Sequence, residues 1–471
     1  MRTKLFRKYI GTLLVAFFAA AFLSAQTPLV PDSRITSILS ALSADPSARM
    51  DPTVFARLAL IASGSDQNRT DVLLGRLSSL SAELNAGLPP EADARTKSEA
   101  VLALMYKKVL TRYSEFQTRV DTALESGDYN CVSSALLFYY FAETTGLSVE
   151  GVETPDHAFC TVVVNGVKID VETTNPYGFD PGSQKELQTN SAEQKKYVFM
   201  PLTKYRDRQP ASERRFLSLV YGNRISLLER RGDFVQAVGF ALDSHTLQGT
   251  EASFTDLAER FITYAVNLSD RGREGEGLDF IIAMSDRFGT YPRYAEYISS
   301  AAGMIENALM KKNDYPGGFA FLDKYAPRIE KARYDEMFRL LNVNYLGYTI
   351  ENSGMQDALP VIYGSRQYLS PADFERLIVL VYSREAEKIA RTGKWLETVA
   401  VLDLGLKEIP GQKDLLLQRT MYRQNYAIGV HNEAVKAWNA GGRASVKTLI
   451  EDALALIPES TLLQNDLKNM K

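Results

Sequence analysis

Apolar residues recur at two different periods along this chain, and the change between them divides it. From residue 31 to about 125 the spacing is helical: Val101, Leu104, Met105 and Leu110 fall on one helix face. Asp51-Pro52 reads as an N-cap followed by proline at the first helical position, and Pro90-Glu91 as a second start of the same kind. Gly127-Asp128 is expected to stop this helical lead-in. A short apolar helix, Val132 to Gly146, follows Asn130, a good cap residue. The period then becomes two. Leu147 to Glu153 reads as a strand, and His157 to Val164 and Val167 to Val171 flank Asn165-Gly166. Both residues of such a turn take positive φ, so Asn-Gly between two β-rich runs is a strong hairpin signal. Helix, strand and hairpin make a compact α+β unit over 126–205, which Pro181, Gly182 and a polar stretch through Lys196 lead out of.

From about Ser212 the pattern is helical again, punctuated at a regular interval. Arg231-Gly232-Asp233, Arg271-Gly272, Lys312-Asn313-Asp314, Ser353-Gly354 and Thr392-Gly393-Lys394 lie 39 to 41 residues apart, and the next candidate, Gly441-Gly442, comes late. A fixed period of helix–turn–helix units is the mark of a solenoid. Over roughly 215–460 the chain resembles tetratricopeptide arrays, with an interval longer than theirs and no intact Trp-Leu-Gly-Tyr pattern. The expected fold is therefore mainly α with a small α+β domain: a helical lead-in over 31–125, the α+β core over 126–205 and a helical repeat domain over 212–471. The resemblance implies a protein or peptide partner held by the repeats. The tyrosines at 291, 294, 297, 345, 348 and 363 are expected to pack in repeat interiors.

A chain of 471 residues is too long for one core, and 45% apolar content is ordinary for a globular protein. Its 54 basic and 57 acidic side chains form no basic stripe able to neutralise a phosphate backbone, so no nucleic-acid partner is expected. Arg2, Lys4, Arg7 and Lys8 precede an apolar run from Ile10 to Leu23, with small residues at Ser24 and Ala25. The run is shorter than the ~20 residues that span a bilayer, and the layout is that of a secretory signal peptide, 1–25. The chain is then exported, periplasmic or secreted, with no membrane span after signal removal. Leu23 is a poor residue three before the cleavage site, which leaves an uncleaved N-terminal anchor as the alternative. The two cysteines, Cys131 and Cys160, are too few for a disulfide scaffold.

Three histidines are present, His157, His245 and His431, and only the first lies downstream of a cysteine at a helix start. Unpaired N–H groups and the helix dipole favour a thiolate at such a start, which predisposes Cys131 to nucleophilic chemistry. An imidazole within reach would complete the activation, and a carboxylate on the next strand would hold its tautomer. The stretches Gly127-Asp128-Tyr129-Asn130-Cys131, His157-Ala158-Phe159 and Ile169-Asp170-Val171 resemble the transglutaminase-like superfamily. Their separations agree as well, 26 residues from Cys131 to His157 and 13 more to Asp170. The resemblance implies a papain-like α+β core and amide chemistry through a thioester. Cys131 would be the nucleophile, His157 the general base and acid, and Asp170 the orienter. The Cys131 N–H would help bind the oxyanion, with Asn130 or Tyr129 as further support.

Register arithmetic points elsewhere for the carboxylate. If Asn165-Gly166 is a two-residue turn, Val164 pairs with Val167, His157 faces Thr174, and Glu172 is the diagonal neighbour of His157. Glu172 is thus the stand-in for Asp170. Cys160 alternates to the face opposite His157 and is expected in the core. No His/Cys/Asp cluster has metal spacing and no glycine-rich phosphate loop is present, so neither metal nor cofactor is expected. The function expected is an exported cysteine amide hydrolase or transferase acting on a peptide or isopeptide bond. The alternative is a non-catalytic scaffold of the cell envelope whose transglutaminase-like module is inactive.

Overall fold

A computed structural model of the chain describes residues 29–42, 48–183 and 197–470. The expected signal segment, 1–25, lies outside them. The molecule is mainly helical with a small sheet region, and it divides into two compact units, the first ending at Asp270 and the second beginning at Arg271. Helices over 213–270, which the repeat pattern groups with the array, therefore belong to the first unit. Among the described residues no helix is long and apolar enough to cross a membrane.

The first unit opens with α1 (Ser33–Ser40), α2 (Pro52–Ser63), α3 (Gln67–Gly87) and α4 (Ala94–Lys108). Asp51 caps α2 with Pro52 at its first position, as its sequence predicts. The expected start at Pro90-Glu91 is displaced: Asp93 caps α4 by accepting from the Thr96 N–H, because its carboxylate satisfies a free donor that proline and glutamate there do not. The expected stop at Gly127-Asp128 is also corrected. The chain leaves the helix at Val109 and forms β1 (Arg112–Tyr113), then α5 (Val120–Ser126), and only α5 ends at Gly127. Thr111 and Arg112 both donate to the Gly127 carbonyl, and β1 runs parallel to β2 (Asp128–Tyr129), pairing Tyr113 with Tyr129.

α6 (Cys131–Thr144) is the centre of this unit. Every residue from Val132 to Ala142 is buried, which is what a helix apolar on all sides requires. It packs on α2, α4, α5, the helix Glu213–Arg230 and an antiparallel sheet. That sheet has the order β5-β4-β3-β6, from β3 (Val149–Thr154), β4 (His157–Val164), β5 (Val167–Val171) and β6 (Gln209–Ala211). Asn165 and Gly166 both take positive φ, 51° and 82°, and Val164 faces Val167 across the turn. The two-residue turn thereby fixes the register of the whole hairpin. Cys160 is fully buried, with its thiol 3.4 Å from the Ala135 carbonyl of α6, and both cysteines are free.

In the second unit each helix from Glu274–Phe288 to Thr461–Asn469 packs on the next. The alternate helices Pro292–Lys311, Lys331–Asn352, Pro371–Ala390, Lys413–Asn439 and Thr461–Asn469 also touch one another in succession. The expected punctuation has a backbone cause: Gly232, Gly272, Asn313, Gly393 and Gly441 all have positive φ, the left-handed step that ends a helix. Gly354 differs, with φ −79° as the residue before its helix. Tyr294 and Tyr297 are buried as expected, whereas Tyr348 and Tyr363 stay exposed.

Candidate active site

Asn130 and Ser133 make a reciprocal capping box: the Asn130 Oδ1 accepts from the Val132 and Ser133 N–H groups, and the Ser133 hydroxyl accepts from the Asn130 N–H. This sets Cys131 at the first position of α6, half-buried, on the wall of a cleft of about 700 Å³ that His157 also lines. His157 is the first residue of β4, directly after the turn Pro155-Asp156, and pairs with Thr154. Its Nε2 lies 2.7 Å from Glu172 Oε2, both side chains almost wholly buried. With Nε2 taken, the buried Nδ1, which has no other partner, is the nitrogen left for the Cys131 thiol. Burial works against charge on the ring, but the nearness of Cys131 and the hydrogen bond to Glu172 outweigh it and raise the His157 pKa to about 10. The buried Glu172 carboxylate thus favours the charged form of the ring.

The Glu172 carboxylate is filled on every side. Besides His157, the Tyr205 hydroxyl donates to Oε2 at 2.7 Å, and the Thr174 N–H and hydroxyl donate to Oε1 at 2.9 and 2.8 Å. Burial would push this carboxyl upward; the donors, His157 first among them, hold it below its ordinary value. The loop after β5 is itself fastened: the Tyr106 and Tyr129 hydroxyls donate to the carbonyls of Thr173 and Thr174, and the Ser134 and Thr173 hydroxyls meet at 2.9 Å.

Asp170, assigned as orienter by resemblance, is not the partner of His157. It faces Thr161 across the ladder and forms a two-pronged pair with Arg208 at 2.6 and 2.8 Å. The reason is the two-residue turn: its register carries Asp170 too far along β5 and leaves Glu172 beside the imidazole. Asn130 spends its Oδ1 on capping, and its Nδ2 gives one hydrogen to the Glu115 carbonyl at 3.0 Å.

Three contributors were given no role from sequence. Thr174 is the residue that register arithmetic sets opposite His157, so a signal for it existed. Tyr205, on the turn of 3-10 helix Leu202–Tyr205, packs its ring edge-on against His157 and donates to Glu172, yet no local pattern marks it. Arg208 lies over the Phe159 ring at 5.0 Å while holding Asp170. His245 and His431 are occupied by Ser253 and Asp466, and no group of three metal-ligating side chains gathers among the described residues.

Fold and site together define a mainly helical protein in which a small antiparallel sheet presents a histidine–carboxylate pair beside a helix-start cysteine. No protein-family model and no curated protein matches the sequence. Among solved structures, a crystal structure of menin is similar at 13% identity over 82% of this chain and 97% of that one, with a TM-score of 0.29. A likeness of that size carries no argument about fold or function.

Proposed function

We propose that this chain is an exported, cysteine-dependent amide hydrolase or acyltransferase of the transglutaminase-like kind. The helices of its second unit would act as a tetratricopeptide-like array that recruits a protein or peptide. One observation carries the catalytic reading: His157 uses one ring nitrogen on the buried Glu172 and has the other free for Cys131. The recruitment reading rests on the left-handed turns near forty-residue intervals and the succession of packed helices.

In the proposed reaction the Cys131 sulfur attacks an amide carbonyl carbon, and the carbonyl pair moves to oxygen. As that pair returns, the C–N bond breaks and the amine departs with the proton from the His157 imidazolium. Glu172 keeps the ring oriented and balances its charge. Water or a second amine then gives its proton to His157 and attacks the thioester, the C–S bond breaks, and an acid or a new amide leaves.

The test is formation of a thioester at Cys131 when the full-length protein meets an activated acyl ester, read by intact mass and peptide mapping. Acylation that hydroxylamine reverses, absent in Cys131→Ala and slowed by roughly 10²–10⁴ in His157→Gln, is the expected result. Modification at an unreactive rate in the unaltered chain would leave only the recruitment role.

A further inference from the structure

An acyl-transfer centre needs donors for the oxygen that turns negative in the tetrahedral intermediate. Of the first four N–H groups at the start of α6, three are already taken. Asn130 donates to the Ser133 hydroxyl at 3.0 Å, and Val132 and Ser133 donate to Asn130 Oδ1 at 3.0 and 3.1 Å. The Cys131 N–H is the one left over. Of the side chains suggested by sequence, Asn130 gives one Nδ2 hydrogen to the Glu115 carbonyl, and Tyr129 gives its hydroxyl to the Thr174 carbonyl at 3.1 Å.

Tyr113 is differently placed. The parallel β1–β2 ladder sets it opposite Tyr129, two residues before Cys131, and its ring packs edge-on against Tyr129 at 5.7 Å. It is half-buried and lines the same cleft as Cys131 and His157. No hydrogen-bond partner engages its hydroxyl among the described residues. We propose that Tyr113 is a catalytic residue whose phenol, together with the Cys131 N–H, donates a hydrogen bond to the oxyanion. The assignment rests on the acyl-transfer reading above.

Burial, with Cys131, Glu115, Glu172 and Tyr129 close by, pushes the Tyr113 hydroxyl well above its usual range and keeps it protonated. The donor is thus present at every working pH. During attack the sulfur–carbon bond forms and the carbonyl pair moves onto oxygen. Tyr113 shares its proton without giving it up, and the pair returns as the leaving group departs.

Two probes of Cys131 in the full-length protein separate this role from packing. p-Nitrophenyl acetate acylates through a tetrahedral oxyanion; iodoacetamide alkylates by displacement at a saturated carbon and forms none. In Tyr113→Phe, which keeps the ring on Tyr129, acylation is expected to slow by ~10²–10³ while alkylation stays within about twofold. Tyr113→Met, a second variant without the hydroxyl, gives the same selective loss. Equal acylation in variant and unaltered chain overturns the assignment alone, as does a parallel fall in both rates. An unaltered chain that alkylates but never acylates at Cys131 overturns the assignment and the acyl-transfer reading together.

Discussion

At the scale of the residue, two carboxylates only two positions apart have opposite fates. Asp170 is half-exposed and tied to Arg208, an ion pair of the kind that contributes at most about 1 kcal/mol. Glu172 is buried and meets four donors. Replacing Glu172 by Gln removes the charge that balances the imidazolium, and acylation of Cys131 should fall by roughly 10²–10⁴. Asp170→Asn should change that rate by less than about tenfold. Rates of thioester formation in the two variants, measured side by side, check the swap; the reverse order would restore Asp170 as orienter. A family resemblance pointed to the wrong one of the pair, while counting residues around the turn pointed to Glu172, because strand pairing is a geometric constraint and motif spacing is not.

At the scale of the element, the loop after β5 returns so closely that Gly178 touches the Glu172 backbone. The Glu172 N–H donates to the Gly178 carbonyl at 2.8 Å, and a Cβ at Gly178 would lie 1.7 Å from the Glu172 carbonyl oxygen. Gly178→Ala must therefore push the carboxylate away from His157. A stability loss of about 3 kcal/mol is expected in denaturant titration, with acylation lost as well. Gly166→Ala is the control: its φ of 82° disfavours alanine, but open space surrounds it, so about 1 kcal/mol is expected and the site should keep working. Turn chemistry of the Asn165-Gly166 kind is legible locally. The approach of Gly178 to Glu172 is not, since nothing in a one-dimensional pattern says which backbone a glycine will meet.

At the scale of the whole molecule, the buried pair couples the site to folding. The His157 pKa is raised, so its contribution is fully present below about 6.5 and is lost as pH climbs through about 10. The Glu172 pKa is lowered, so its contribution is present above about 4.3 and is lost as pH falls through its folded value. The Tm difference between the unaltered chain and His157→Gln should therefore be widest between about pH 5 and 6.5 and shrink toward pH 10. A flat difference across that span would mean the ring is neutral when folded. The division into units also belongs to this scale. Helices 213–230, 234–248 and 251–270 carry the repeat punctuation at Gly232, yet the first of them packs against α2, α6 and the sheet and joins the first unit.

Sequence alone determined the elements governed by neighbours along the chain. These include the cap and start of α6, the Asn-Gly hairpin with its register, and the left-handed steps that end helices at Gly232, Gly272 and Gly393. Each depends on a few adjacent residues and their allowed φ. Tertiary structure decided which distant groups fill a buried carboxylate and which helix joins which core. Tyr205, Thr174 and Gly178 meet Glu172 only after the loop folds back, because a buried charge is satisfied by whichever donors packing brings to it, wherever they stand in the sequence.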